Sequence, residues 1–435
     1  MNKEQSTPTT SRRQFVKTAG AAVIGSGLAF HSSRAKAFSP NSDTLKVGLI
    51  GCGGRGTGAA NQALNADENV VLHAMADIFP DRMEKSYTNL LKLHPDKVKV
   101  DKERQFLGFD AYKEVLKSGV DVVILATPPA FRPDHLMACV KAGKHIFCEK
   151  PMAVDAPGVR KVLEAAKIAK KKDISLMSGF CWRFHTPKRE TFSRVLNGDI
   201  GQVTAVYNTY NTGELWSRPR QPEWSELEYQ LRNWLYYNWL SGDHIAEQAV
   251  HSLDMMSWAL GDIPPVKATG TGGRQRRTDP IYGNVFDHFA VVYEYENGAK
   301  GFHFSRQQKD CSRSYLAEMI GTNGRAVADC IRRKHYLEGA KAWKFRGESN
   351  DMYQTEHDEL FAGIRAGEHI NQGEFMAQST MLAIMGRMVA YTGQTITWEE
   401  AMNSEETLGP KIDEYNWDLH WATAEVAKPG ITKFF

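Results

Sequence analysis

Three groups of residues have the types and spacing to do chemistry. The first is Gly51-Cys52-Gly53-Gly54-Arg55-Gly56, a G-x-G-x-x-G run directly after the apolar stretch Lys46-Val47-Gly48-Leu49-Ile50. In such a loop Gly51 makes the tight turn, Gly53 lets the backbone approach a pyrophosphate, and Gly56 lets the next helix pack close to its strand. That helix, expected through Thr57 to about Ala66, aims its N-terminal amides at the phosphates. A second apolar run over residues 70–76 ends in Asp77, 21 residues after Gly56. An acid there accepts hydrogen bonds from a ribose 2′-hydroxyl and repels a 2′-phosphate, which argues for NAD over NADP. Arg82 nearby pulls the other way, and a strand-end turn residue is the plainer reading of Asp77.

The second group is Glu149-Lys150-Pro151, which follows the run His145-Ile146-Phe147-Cys148. A lysine beside an oxidised nicotinamide can donate to a substrate hydroxyl and ease its proton loss; a surface lysine at a strand exit is the bland alternative. The third lies in Gly242-Asp243-His244-Ile245-Ala246-Glu247-Gln248-Ala249-Val250-His251-Ser252-Leu253-Asp254. If this is one helix, His244, Glu247, His251 and Asp254 share a face. A polar stripe between Ile245, Val250, Leu253 and Met256 is more than a solvated surface. A satisfied core histidine and a His244/Glu247/His251 metal site compete with a catalytic reading, but the H-E-x-x-H spacing is missing and no metal is expected.

These groups need elements to position them. Strand-like runs at 46–50, 70–77, 120–125, 145–148 and 173–178 alternate with helical stretches such as 135–142. That specifies an α/β Rossmann fold, a doubly wound parallel sheet with its ligand at the carboxyl ends of the strands, where Gly51, Asp77, Thr127 and Glu149 stand. From 285 to 305 the pattern changes to alternation around Asn297-Gly298, and Gly321-Thr322-Asn323-Gly324 sits between two more such runs. A mainly antiparallel open sheet over 200–345 follows, in an α+β second domain. The boundaries read as 1–37, 44–180 and 181–435. Residues 374–391 form an apolar, Met-rich helix expected in the core. Six of ten tryptophans lie between residues 181 and 258. With Arg183, Arg232, Asn233, Asp243, His244 and Asp254 to hold hydroxyls they suit a carbohydrate, and equally a core or a subunit interface. Residues 406–435, with Trp417 and Trp421, are expected to pack across a neighbour.

The glycine loop, Thr127-Pro128, His135, Ala142-Gly143-Lys144-His145 and Glu149-Lys150-Pro151 together resemble the Gfo/Idh/MocA oxidoreductase family over roughly residues 45–400. The resemblance implies that Gly51, Gly53, Gly54, Arg55, Gly56, Asp77, Thr127, Pro128, His135, Glu149 and Lys150 serve the cofactor. It implies a lysine facing both nicotinamide and substrate, a following proline peptide that is often cis, and a second-domain sheet whose exposed face makes oligomer contacts, a dimer or tetramer. The family commonly carries Asp-x-x-x-His-x-x-Asp in the third group. Here Glu247 stands where the first aspartate would be, so roles are expected for His251 as general base or acid, Lys150 as its partner and Glu247 as substrate ligand or tuner.

Composition bounds the partners. Residues 1–37 carry six Lys/Arg against one acid, leaving 48 basic and 50 acidic residues in the remainder. A near-neutral body gives no electrostatic reason to expect nucleic acid or an anionic membrane. Ser11-Arg12-Arg13-Gln14-Phe15-Val16-Lys17 resembles the twin-arginine export signal, followed by sixteen uncharged residues and Ala35-Lys36-Ala37, a small-x-small cleavage pattern. Sixteen residues fall short of ~30 Å of hydrocarbon, so a removed peptide rather than a stable membrane anchor is expected, with a periplasmic or extracytoplasmic mature protein starting near Phe38. Export in the folded state suits a cofactor loaded beforehand and then retained. The functional expectation is an NAD-dependent sugar oxidoreductase. Its rivals are an NAD-dependent glycosidase that oxidises, eliminates, hydrates and re-reduces, as in the related NAD-dependent alpha-N-acetylgalactosaminidases, and a non-catalytic sugar-binding protein.

Overall fold

The apolar run that enters the glycine loop is the first strand of a six-stranded parallel sheet. A computed structural model describes residues 43–434, so the twin-arginine and cleavage motifs lie outside the described residues. The strands are β1 (Leu45–Ile50), β2 (Val70–Asp77), β3 (Gln105–Leu107), β4 (Val122–Leu125), β5 (His145–Cys148) and β6 (Leu176–Ser178), in the order β3-β2-β1-β4-β5-β6. The order reverses between β1 and β4, so the crevice for a ligand opens at their carboxyl ends. Four of the six residues of β1 are buried and all of β4 is, as expected for strands covered by helices on both faces. The short edge strand β3 carries no sequence run that marks it.

The second sheet has nine strands: β7 (Val203–Thr212), β8 (Lys267–Gly273), β9 (His288–Glu294), β10 (Lys300–Gln307), β11 (Ser314–Gly321), β12 (Gly324–Asp329), β13 (Lys334–Gly339), β14 (Trp343–Lys344) and β15 (Ile396–Thr397). Their order is β14-β13-β12-β11-β7-β10-β9-β8-β15, antiparallel throughout except where β10 runs parallel to β7. Both expected hairpins form: β9 and β10 join through Asn297 and Gly298, the glycine at φ +84°, and β11 and β12 join through Thr322 and Asn323. One face of this sheet is covered by the helices Val250–Ala259 and Gly373–Thr392, the second being the Met-rich core helix.

The chain after the second sheet returns to the first. Helix Met352–Ala366 packs on Gly54–Ala66, with Gln354 Nε2 donating to the Gln62 carbonyl at 3.0 Å, and Asn371 bridges to β6. Residues 406–435, expected to pack across a neighbour, pack on their own chain through Tyr415, Trp417 and Trp421. These rings pack within the chain, Trp417 at 5.0 Å from Phe109 and Trp421 at 6.0 Å from Trp239. No helix among the described residues is long and apolar enough to cross a membrane.

Candidate active site

The glycines of the loop do distinct work. Gly51 turns at φ +97°, and a Cβ there would lie 2.7 Å from the Ala126 and Thr127 backbone, so only glycine lets the ends of β1 and β4 meet. A Cβ on Gly56 would overlap the Gly51 carbonyl oxygen. Gly53 and Gly54 face open space, with nothing within 4 Å of a Cβ. That space belongs to a cavity of about 300 Å³ lined by Gly51, Gly53, Gly54, Arg55, Asp77, Thr127, Pro128 and His135. A phosphate group fits in front of the bare amides at the start of helix Gly54–Ala66.

Asp77 closes the ribose side. Its Oδ2 accepts the Cys52 N–H at 2.6 Å and its Oδ1 the Phe79 N–H at 2.9 Å, which leaves lone pairs for ribose hydroxyls. Burial raises its pKa; the Phe79 amide and Arg82 oppose that rise. Arg82 lines the same cavity, as do Trp216, Leu231 and Trp234 from beyond the parallel sheet. The aromatic cluster in the sequence signals these two tryptophans without saying which site they serve. His135 stacks on Tyr112 at 4.3 Å, and burial holds its pKa down at about 3, so it is a neutral wall of the cavity.

Beyond the cavity lies a cluster that handles protons. Glu149 forms an ion pair with Arg55, Oε1 to Nε 2.7 Å, and Arg55 also sits 5.0 Å from the Tyr353 ring centroid. The Lys150–Pro151 peptide is cis, and Lys150 Nζ donates to the Glu247 carbonyl oxygen at 2.5 Å. Burial lowers the Lys150 pKa, with Glu247 and Glu149 opposing, while burial raises that of the Glu247 carboxyl, which accepts from Gln307 Nε2 at 3.1 Å. His251 stacks on Trp182 at 5.0 Å and keeps Nδ1 buried, without a partner among the described residues. Burial, then the charges of Lys150 and Lys188, push its pKa well below the usual histidine value, so the imidazole is neutral. A neutral imidazole, an ammonium and a carboxyl therefore share one small space, the donor and acceptor set that proton transfer to and from a hydroxyl needs. Gln307 and Lys188 carried no signal in the sequence, since neither belongs to a motif.

The expected single helix does not form. The segment divides into His244–Glu247 and Val250–Ala259, with Gln248 between them at φ −125° and ψ −52°. The first turn is started by Asp243, at φ +70°, whose carboxylate accepts from the His244 and Phe286 N–H groups and the Tyr391 hydroxyl at 2.5, 2.7 and 2.6 Å. Glu247 and His251 stay with Lys150, while His244 and Asp254 do not join them. His244 lies against Phe289, with neither ring nitrogen partnered among the described residues.

The structure gives the six residues expected to contact substrate the following surroundings. Asp254 binds Arg183 at 3.0 Å and Ser379 at 2.8 Å, and Arg183 also pairs with Asp262 at 2.6 Å. Arg232 is held by Glu228 at 2.8 Å and Asp81 at 3.2 Å, 4.1 Å from the Phe79 ring centroid. Asn233 is fully buried and exchanges hydrogen bonds with the Arg218 backbone. Arg183, Arg232, Asn233, Asp243 and Asp254 thus have their polar groups spent on internal partners, and His244 is walled in. Among the described residues no group of three His, Cys, Asp or Glu side chains is arranged to hold a metal ion.

Comparison with known proteins gives the same frame. Residues 45–180 match the model of an oxidoreductase family with an NAD-binding Rossmann fold, and residues 190–327 match the GFO/IDH/MocA C-terminal domain. A myo-inositol 2-dehydrogenase of Thermotoga maritima is 26% identical over 333 residues, 74% of this chain and 89% of that protein. A glycosyl hydrolase family 109 protein of Solibacter usitatus is 28% identical over 236 residues, 52% of each chain. A solved levoglucosan dehydrogenase, in complex with NADH and levoglucosan, shares the fold with a TM-score of 0.64 at 18% identity, covering 81% of this chain and 99% of that one. Glycine loop, Asp77, Glu149-Lys150-Pro151 and both domains thus converge, and the chain belongs to the Gfo/Idh/MocA family of NAD-binding oxidoreductases.

Proposed function

We propose that the protein oxidises a hydroxyl-bearing ring carbon of a sugar or sugar derivative and retains its NAD between turnovers. Bound NAD supplies the hydride acceptor. The glycine loop and Asp77 hold it, and Trp216 and Trp234 line its cavity. The observation that carries the reading is the meeting of Lys150, Glu247 and neutral His251 beside the Glu149–Arg55 pair. His251 takes the hydroxyl proton, and the Lys150 ammonium steadies the negative charge that develops on that oxygen. Glu247 orients a neighbouring hydroxyl or tunes His251.

A second reading has one specific support, the likeness to a glycosyl hydrolase family 109 protein. There the new ketone acidifies the adjacent C–H, a base removes that proton, the glycosidic substituent leaves, water adds and the hydride returns. His251 or Glu247 can serve as that base. Offering the natively isolated protein free sugars and aryl glycosides separates the two readings. Ketone or lactone with accumulating NADH supports oxidation, whereas aglycone release without net NADH supports the glycosidase. Protein that releases no dinucleotide on denaturation and binds none contradicts both, and leaves only a sugar-binding role, against which the intact Lys150 and His251 argue.

Two features of the setting belong to the proposal. Export by the twin-arginine route with cofactor in place follows from Ser11 to Lys17, and Arg12→Lys with Arg13→Lys leaves the precursor in the cytoplasm if that is right. A homo-oligomer is supported by Tyr207, Phe304 and Ile320, large apolar side chains exposed on neighbouring strands of the second sheet. Light scattering reads it.

A further inference from the structure

Trp182 belongs to two places. Its ring stacks on His251, and it also lines a cavity of about 880 Å³ with Tyr210, Tyr315 and Phe345. The charged lining of that cavity is lopsided. Lys188, Arg333 and Arg346 line it with His185 and His335, against one carboxylate, Asp351. Asp351 is already committed, since its Oδ1 accepts the Tyr353 and Gln354 N–H groups at 3.0 and 3.3 Å as the cap of helix Met352–Ala366.

Lys188 is the telling residue. It is 2% exposed, yet among the described residues no carboxylate lies within ion-pair distance of its ammonium. Its neighbours include the Cys330 thiol, His185 Nδ1 at 3.2 Å and the Trp182 ring, 5.1 Å away. A buried cation without a counter-charge is unfavourable until an anion is supplied. His335, 4% exposed, adds a ring nitrogen Nε2 with no partner among the described residues. Arg333 stands between β12 and β13 at φ +53°, a left-handed conformation that an arginine rarely adopts, and neither it nor Arg346 forms an ion pair among the described residues. Charge at Lys188 is felt at His251, so this cavity and the reacting centre are electrostatic neighbours.

We propose that this cavity is a subsite for an anionic sugar residue, a ring bearing a carboxylate or sulfate and joined to the unit whose hydroxyl faces His251. The inference rests on the sugar-oxidising reading above and names its substrate class. The ring's C–H face lies on the aromatic lining, and its anion meets Lys188, with Arg333 and Arg346 at the mouth. The volume is ample for one sugar ring.

The test is calorimetric binding to the NAD-loaded full chain, with hydride transfer followed in parallel. The probes are a disaccharide glycoside ending in glucuronate, its neutral methyl ester, and the matching sulfated glycoside. At least one anionic probe binds about tenfold more tightly than the ester, a preference that shrinks with salt. A preference for carboxylate identifies a uronate and one for sulfate a sulfated sugar; either supports the subsite. Lys188→Met and, independently, the exposed Arg333→Gln reduce the preference to about threefold or less. Ester binding as tight as both anions, or an undiminished preference in folded Arg333→Gln, overturns the inference. The outcomes separate it from the parent reading. Charge-selective binding without hydride transfer from any sugar keeps the subsite and refutes the oxidation, and hydride transfer with charge-blind binding does the reverse.

Discussion

The cofactor cavity and the proton-handling centre are assembled by opposite means. The cavity draws its glycine loop, Asp77, Thr127 and His135 from the ends of adjacent parallel strands and the helices that follow them. The centre joins Lys150 to Glu247 across 97 positions of chain, on a segment that breaks at Gln248. A binding site for a standard ligand can be built from local turns. Placing three titrating groups around a hydroxyl needs two domains to be registered against each other, and small errors in that register weaken proton transfer steeply.

Breaking the centre while sparing the cavity gives the largest expected effect. His251→Ala or Lys150→Ala lowers kcat by about 10²–10⁴-fold, and dinucleotide affinity, read by titration, stays largely intact because neither residue lines the cavity of the glycine loop and Asp77. Full turnover in both variants would remove this helix from the active site.

The next effect is on stability. Asp254→Ala leaves Arg183 with only Asp262, which is itself a third exposed. A loss of about 2–3 kcal/mol is expected, below the usual cost of breaking a buried pair because that second partner remains. Denaturant titration measures it, and kcat per folded molecule holds. A selective loss of kcat instead would return Asp254 to the substrate.

Asp77→Ala sharpens the other side. Removing the ribose acceptor weakens NAD binding about tenfold to a hundredfold and narrows the gap to NADP, the more so as Arg82 lines the same cavity. Unchanged NAD affinity would make Asp77 a turn residue only.

The smallest effect is in the pH profile. His251 works as a base when neutral, and its pKa lies below the ordinary 6.5, so activity persists below pH 6.5 and falls only as pH drops through that depressed value. Lys150 works when protonated, and its lowered pKa moves the alkaline limb below the ordinary lysine value of 10.5. His251→Ala abolishes the acid limb in whatever activity remains.

The same contrast explains what the sequence could say. The parallel sheet, the glycine turns, both hairpins and the core helix at 373–392 were legible because each depends on residues close in the chain. Glu247 and His251 were legible as a pair for the same reason. The fates of Arg183, Arg232, Asn233 and Asp243 were not, because their partners Asp262, Asp81, the Arg218 backbone and Tyr391 come from other elements. A polar residue near a motif looks the same in sequence whether it holds a hydroxyl or a neighbouring strand. Lys188 was invisible for a further reason: its isolation exists only once the fold has kept every carboxylate away.

The central claim is that Lys150 and His251 serve hydride transfer from a sugar carbon. A single-turnover experiment with NAD-loaded protein and sugars deuterated at successive ring carbons tests it directly. One position transfers deuterium to the nicotinamide in wild-type protein and none does in Lys150→Ala or His251→Ala. Deuterium that never leaves the sugar, or that leaves it equally in the variants, contradicts the account.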